Sequence, residues 1–127
     1  MQLVGFDHLQ LAIPEGGEEA ARAFYGGLLG MSELPKPAPL AARGGCWFAT
    51  PGVQLHLGVE TPFAPARKAH PAFLVRDLDA WRATLAAAGV ETTPDETVAG
   101  VQRCYAADPF GNRLEFVQDG DGFSQRL

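Results

Sequence analysis

The 127-residue chain carries 10 Lys and Arg against 15 Asp and Glu, a formal charge of −5 and a pI near 5.0, which opposes the clustered cations that a phosphate backbone needs, so nucleic acid is not an expected partner. The apolar fraction of 46% is ordinary for a soluble globular protein, and no apolar run approaches the roughly 20 residues that cross a bilayer. The length allows one domain, or two half-domains sharing a core.

Along the chain, residues 1–8 lack the basic stretch and apolar core of a secretion signal, and the default expectation is a reduced, cytoplasmic location. Phe6 to Ile13 alternates as a strand does, with Leu9, Leu11 and Ile13 on one face and His8, Gln10 and Ala12 on the other. Pro14 ends it. Glu18 to Leu29 carries Ala20, Ala21, Phe24, Leu28 and Leu29 at helical spacing and stops at Gly30. From Met31 the prolines at 35, 37 and 39 break the pattern, which predicts a short edge strand or an extended loop. Cys46 to Thr50 and Val53 to Val59 then form a hairpin across Pro51-Gly52, with Gln54, His56 and Gly58 on the polar face of its second strand. The cysteines, Cys46 and Cys104, lack metal-motif spacing and read as small buried hydrophobes without chemistry.

Thr61 to Lys68 is aperiodic and reads as a linker, after which the order restarts. Ala69 to Val75 is a strand with His70, Ala72 and Leu74 on one face, and Asp77 to Ala88 a helix with Asp77 as N-cap and Gly89 past its end. Thr97 to Ala107 supplies strand-like segments, Asp108-Pro109-Phe110-Gly111 a turn, Arg113 to Gln118 a closing strand and 119–127 a polar tail.

His8 opens one half and His70 the other, and Gln54 and Glu115 follow them by 46 and 45 residues, each interval enclosing a helix that ends in Gly. Duplication explains this better than chance. The strand registers allow His8, Gln54, His70 and Glu115 to share one cavity. Two imidazoles, a carboxylate and an amide oxygen suit a divalent first-row metal such as Mn, Fe, Co, Ni or Zn with open positions for substrate, and the absence of thiolates argues against a closed structural zinc site. Gln54 is the weakest of the four, because an amide is a poor ligand. His56, on the same face, is an alternative to it or a base, or else a hydrogen-bonded wall residue. Arg113, Gln10 and Tyr105 are further cavity candidates or ordinary solvated side chains.

The segments Phe6-Asp7-His8-Leu9-Gln10-Leu11-Ala12-Ile13, Ala23-Phe24-Tyr25 running to Leu28-Leu29-Gly30-Met31, Gln54-Leu55, His70 to Val75 and Asp108 to Phe116 together give a chain that resembles the vicinal oxygen chelate superfamily. That group includes glyoxalase I, fosfomycin-modifying enzymes, extradiol dioxygenases and bleomycin-binding proteins. The resemblance implies an α+β fold of two tandem βαβββ modules, a curved half-barrel-like mixed sheet with helices outside. Module 1 would cover about 1–60, the linker 61–68 and module 2 about 69–118, all in a single domain over 1–127. It also implies metal-ligand positions at His8, Gln54, His70 and Glu115, a small-molecule substrate and a homodimer, with the site either within one chain or shared by two.

Two functional classes stay open at this stage. One is a metal-dependent enzyme, a lyase or isomerase, thiol transferase or oxygenase, in which the metal grips vicinal oxygens of the substrate and Gln54 or His56 completes the sphere or moves protons. The other is a metal-free protein that sequesters a drug-like molecule against Trp47, Phe48 and Tyr105.

Overall fold

The computed structural model describes residues 1–123, so the last part of the expected tail, 124–127, lies outside the described residues. The chain divides into two compact units, Met1–Pro65 and Ala66–Leu127, and the division falls inside the aperiodic stretch expected as a linker.

Unit 1 contains β1 (Leu9–Ile13), α1 (Glu18–Ala21, continued by a wider π-helical stretch over Arg22–Leu28), β2 (Ser32–Leu34), α2 (Ala38–Ala41), β3 (Cys46–Thr50) and β4 (Val53–Val59). Its four strands lie in the order β1-β4-β3-β2, with β1 parallel to β4 and the other pairs antiparallel. Unit 2 contains β5 (Ala72–Val75), α3 (Leu78–Ala87), β6 (Thr93–Pro94), β7 (Arg103–Ala107) and β8 (Arg113–Gln118), in the corresponding order β5-β8-β7-β6 and with the corresponding directions. Each unit is thus a βαβββ module with a four-stranded mixed sheet, and the expected α+β class holds.

The helix of each unit covers the apolar face of its sheet. In unit 1 Tyr25 is fully buried and packs on Phe48 of β3, with ring centroids 6.0 Å apart. In unit 2 Trp81 lies 5.3 Å from Phe116 of β8. The sequence predicts an uninterrupted helix over Glu18–Leu29, and the structure replaces its second half with the π-helical stretch, closed by Leu29 N–H donating to Phe24 O at 2.8 Å. The wider turn lets the consecutive Phe24 and Tyr25 both reach the core, which an α-helix, turning 100° per residue, does less well. In α3 the expected cap is present: Asp77 accepts from Ala80 N–H at 3.0 Å. The chain leaves that helix through Gly89 at φ +80°.

The proline-rich stretch holds both an edge strand, β2, and the one-turn helix α2, which the pattern of prolines hides because Pro37 and Pro39 sit at its start, where a missing N–H costs little. Within 97–107 only Arg103–Ala107 is strand, and the edge strand of unit 2 is the two-residue β6 upstream. Gly45, just before β3, has φ +81°, and a Cβ there would sit 2.1 Å from the carbonyl oxygen of Leu57, so no other residue fits. The Asp108–Asn112 turn is structural. Asp108 Oδ1 accepts from the amides of Phe110 and Asn112, while Asn112 Oδ1 accepts from Ala66 N–H and Ala66 O accepts from Arg113 N–H, tying the start of the unit to the start of β8.

Candidate metal centre and the polar rows

In both units the sheet face opposite the helix carries the candidate residues, and strand register sorts them into rows. In unit 1 Gln10 of β1 lies beside His56 of β4, which lies beside Trp47 of β3. In unit 2 Ala72 of β5 lies beside Glu115 of β8, which lies beside Tyr105 of β7. With His8 and His70 each two residues before the first member of its row, the structural counterpart of Glu115 is His56. Sequence spacing matches Glu115 with Gln54, and register shifts that pairing by two residues. The same alignment sets Trp47 against Tyr105 and Cys46 against Cys104, aromatic on aromatic and thiol on thiol.

The unit 1 row is a stack of rings. Trp47 and His56 are almost parallel, 4° apart with centroids at 3.9 Å, and His8 stacks on the other side of His56 at 4.0 Å. His56 is 6% exposed. Its Nε2 lies 2.7 Å from Gln54 Oε1, and since an amide oxygen only accepts, Nε2 carries the proton and Nδ1 the lone pair. Burial, reinforced by the charge of His8, pushes the His56 pKa below the ordinary histidine value and favours the neutral ring. Gln54 therefore spends its oxygen on His56. His8 Nδ1 pairs with Asp7 Oδ2 at 2.8 Å in a more exposed setting.

The unit 2 row is charged. His70 donates from Nδ1 to the Lys68 carbonyl at 2.8 Å, which leaves Nε2, the lone-pair nitrogen of the neutral ring, facing Glu115 Oε1 at 2.9 Å. Two lone pairs that close repel unless a proton or a metal cation lies between them or beside both. Backbone fixing of the distal ring nitrogen is the usual arrangement behind a metal-binding histidine. Donors at right angles on a cation with bonds of about 2.1 Å are about 3 Å apart, so the pair suits a first-row metal. Glu115 is only 4% exposed, and its Oε2 faces Arg103 Nη1 at 3.4 Å. Arg103 also donates to the Tyr105 hydroxyl at 2.7 Å and pairs with Asp95 at 3.0 Å. The Thr97 hydroxyl and amide, with a contribution from Arg103, hold Asp95 below the usual carboxylate range. Arg113 rests over the Tyr105 ring, 4.0 Å from its centre.

The structure brings His70 to Glu115, and His8 to His56 and Gln54 to His56. Among the described residues no three His, Cys, Asp or Glu side chains are grouped as a metal would require. Sequence reasoning missed Arg103, whose position two residues before Tyr105, on the same strand face as Glu115, was the available signal. Both cysteines are free and buried, as expected, and burial pushes the Cys46 thiol up to about 11.

A family model described as the Glyoxalase/Bleomycin resistance protein/Dioxygenase superfamily matches residues 5–116. The chain belongs to that superfamily. Among solved structures, this superfamily member is similar to a glyoxalase family protein of Bacillus anthracis, with 48% identity, 93% of this chain and 97% of that chain covered, and a TM-score of 0.90. It shares its fold with the FosX fosfomycin resistance protein of Listeria monocytogenes, a mutant form of which is seen with Mn(II) and 1S,2S-dihydroxypropylphosphonic acid, at 19% identity, 99% and 98% coverage and a TM-score of 0.79. A glyoxalase/dioxygenase of Nostoc punctiforme is 25% identical over 87% of this chain and 88% of that chain, with a TM-score of 0.68. No curated protein matches. Among the described residues no helix is long and apolar enough to cross a membrane.

Proposed function

We propose that this superfamily member is a metal-dependent enzyme acting on a small molecule, with His70 and Glu115 as the core of a divalent-metal site and His8 as the third protein donor supplied by the duplicated pattern. The observation that carries the reading is the His70–Glu115 pair, in which the Lys68 carbonyl accepts from Nδ1 and Nε2 faces a buried carboxylate at 2.9 Å. Support comes also from the Mn(II) held by the Listeria fold relative. When bound, a divalent cation supplies Lewis-acid stabilisation of negative charge developing on neighbouring substrate oxygens.

The chain's own groups have separate tasks. Arg103 holds Glu115 Oε2 and leaves Oε1 directed at His70. Gln54 fixes the His56 tautomer, and the depressed pKa keeps Nδ1 available to take a proton at neutral pH. Gln54 is thus assigned to orienting His56 rather than to ligation. The ring stack of Trp47, His56 and His8 forms a flat wall on one side of the row. The protein works as a homodimer in the cytoplasm, where its free cysteines stay reduced.

The test is metal analysis of protein purified without chelators, followed by titration with Mn, Fe, Co, Ni and Zn. Wild type should bind at least one of them stoichiometrically and His8→Ala, His70→Ala and Glu115→Gln should not. Equal, weak binding by all four proteins would overturn the proposal and favour the metal-free sequestration reading. With metal bound, turnover of hemithioacetals, catechols and epoxides separates the candidate reactions.

A further inference from the structure

Residues 1–65 contain three cationic side chains, Arg22, Lys36 and Arg43. Arg22 is committed, its Nε lying 2.9 and 3.1 Å from the two carboxylate oxygens of Glu33. The other two flank one open cavity of about 270 Å³, walled by Trp47 and Leu40 and floored by Gly58, with Gln10 beside them. Among the described residues no Asp or Glu lines it. The Glu18 carboxylate, close to Gly44, accepts from the Gly45 amide at 3.0 Å and is held below its usual pKa chiefly by that bond, with smaller contributions from Arg22 and Lys36. Lys36 donates to the Gly44 carbonyl, which anchors its ammonium at the rim. The Arg43 amide donates to the Leu40 carbonyl at 3.1 Å, and its guanidinium has no hydrogen bond or ion pair among the described residues. In a unit of an acidic protein, two cations on one small cavity, neither in an ion pair with a carboxylate among the described residues, are an electrostatic exception.

The floor is shaped for close approach. Gly58 carries no side chain, and the Gln10 amide occupies the space above it, so that a Cβ at Gly58 would meet Gln10 Nε2 at 2.8 Å. Gln10 lines the cavity together with Gly58, and its amide can donate N–H bonds. Trp47 joins the cavity to the stack, because its indole lines the cavity and lies on His56 at 3.9 Å.

We propose that this cavity binds the anionic end of the substrate, a small organic oxyanion such as a carboxylate or a phosphonate, with Arg43 and Lys36 as charge partners, Gln10 as neutral donor and Trp47 as the apolar wall. The proposal rests on the reading of the polar face as a substrate site and adds a substrate class to it. An anion held there meets Trp47, whose ring stacks in turn on His56, and the oxyanion, not the reacting group, occupies the cationic end.

The experiment is titration of the metal-free, whole chain with propionate and, separately, with propylphosphonate, followed by NMR on the Trp47 indole and Gln10 side-chain amide signals. Saturable shifts with at least one probe are expected below about 50 mM, weakening about tenfold in Arg43→Ala and as salt is raised. The Arg43 guanidinium has no partner among the described residues, so this variant should keep its melting temperature. A tighter fit for propionate names a carboxylate substrate, and a tighter fit for propylphosphonate names a phosphonate or phosphate. No saturable shift with either probe, or equal binding by Arg43→Ala, overturns the proposal. His70→Ala is expected to bind the anion as wild type does. If that variant loses metal but keeps the anion, both readings stand, whereas an anion site in a protein that takes up no metal leaves the cavity in place and removes the metal.

Discussion

The two units present the same row of strand positions with opposite chemistry. At the position after the opening histidine and across the parallel strand pair, unit 1 has His56 between rings and unit 2 has Glu115 between a histidine and an arginine. Aromatic Trp47 and Tyr105 hold equivalent places on the neighbouring strand, yet Trp47 stacks flat on an imidazole while Tyr105 supports two arginines, Arg103 and Arg113. A backbone copied twice therefore fixes where side chains stand and leaves open what they do. One copy has become a charged, donor-rich corner, the other a neutral wall with a proton acceptor in it.

The sharpest way to break this comparison is through the cores that the rows rest on. Phe116→Ala should destabilise the protein by about 3–5 kcal/mol in urea unfolding, and Leu57→Ala, at the matching position, by about 2–5 kcal/mol. Both side chains are 1% exposed, so a much smaller loss in one would show that its unit carries less of the fold. Next comes the metal. Glu115→Gln should lower affinity by more than about 100-fold, beyond the usual loss for an outer supporting group, while His56→Ala should leave it within about threefold by calorimetric titration. Comparable losses would make both rows ligand rows.

Gln54→Ala strands the His56 N–H and should cost about 1–3 kcal/mol of stability with metal affinity unchanged. A collapse of metal binding with stability intact would instead restore Gln54 as a ligand. The smallest effect is on pH. The unfolded His56 takes up its proton near pH 6.5 and the folded one only lower, so on acidification the unfolded state gains protons first and stability falls below about pH 6.5, with no contribution above it. His56→Gln should flatten that part of the melting-temperature profile between about pH 7.5 and 5. An unchanged slope would assign the effect to other groups.

Much of the fold could be read from the residues because its signals are local. The alternation around Leu9–Ile13, the Pro51-Gly52 hairpin and the Asp77 cap each depend on a few neighbours in the chain. What escaped depends on distant partners or competing preferences. The π-helical widening answers to Phe48 across the sheet, and α2 hides behind prolines that also mark loops. For the site, the candidates His8, His56, His70 and Glu115 were visible as polar residues on apolar strands. Which of them correspond was not, because counting residues cannot see that Trp47 follows Gln10 by 37 positions where Tyr105 follows Ala72 by 33, while the step across the hairpin, Trp47 to His56, is 9 against 10 from Tyr105 to Glu115. Arg103 escaped for a related reason. An arginine in a strand reads as solvated until Asp95, Thr97 and Glu115 are seen around it.

Gly45 has a bearing on assembly fidelity. With the Leu57 oxygen 2.1 Å from where a side chain would begin, the approach of β3 to β4 admits a residue without Cβ at one point only. A hairpin zipped one residue out of step in the direction that brings Cys46 to that point would also turn Trp47 into the core and Phe48 out of it. The clash vetoes that mispairing before it can propagate, so the glycine acts as a proofreader for the ring stack, rejecting the wrong register by exclusion without making any contact of its own.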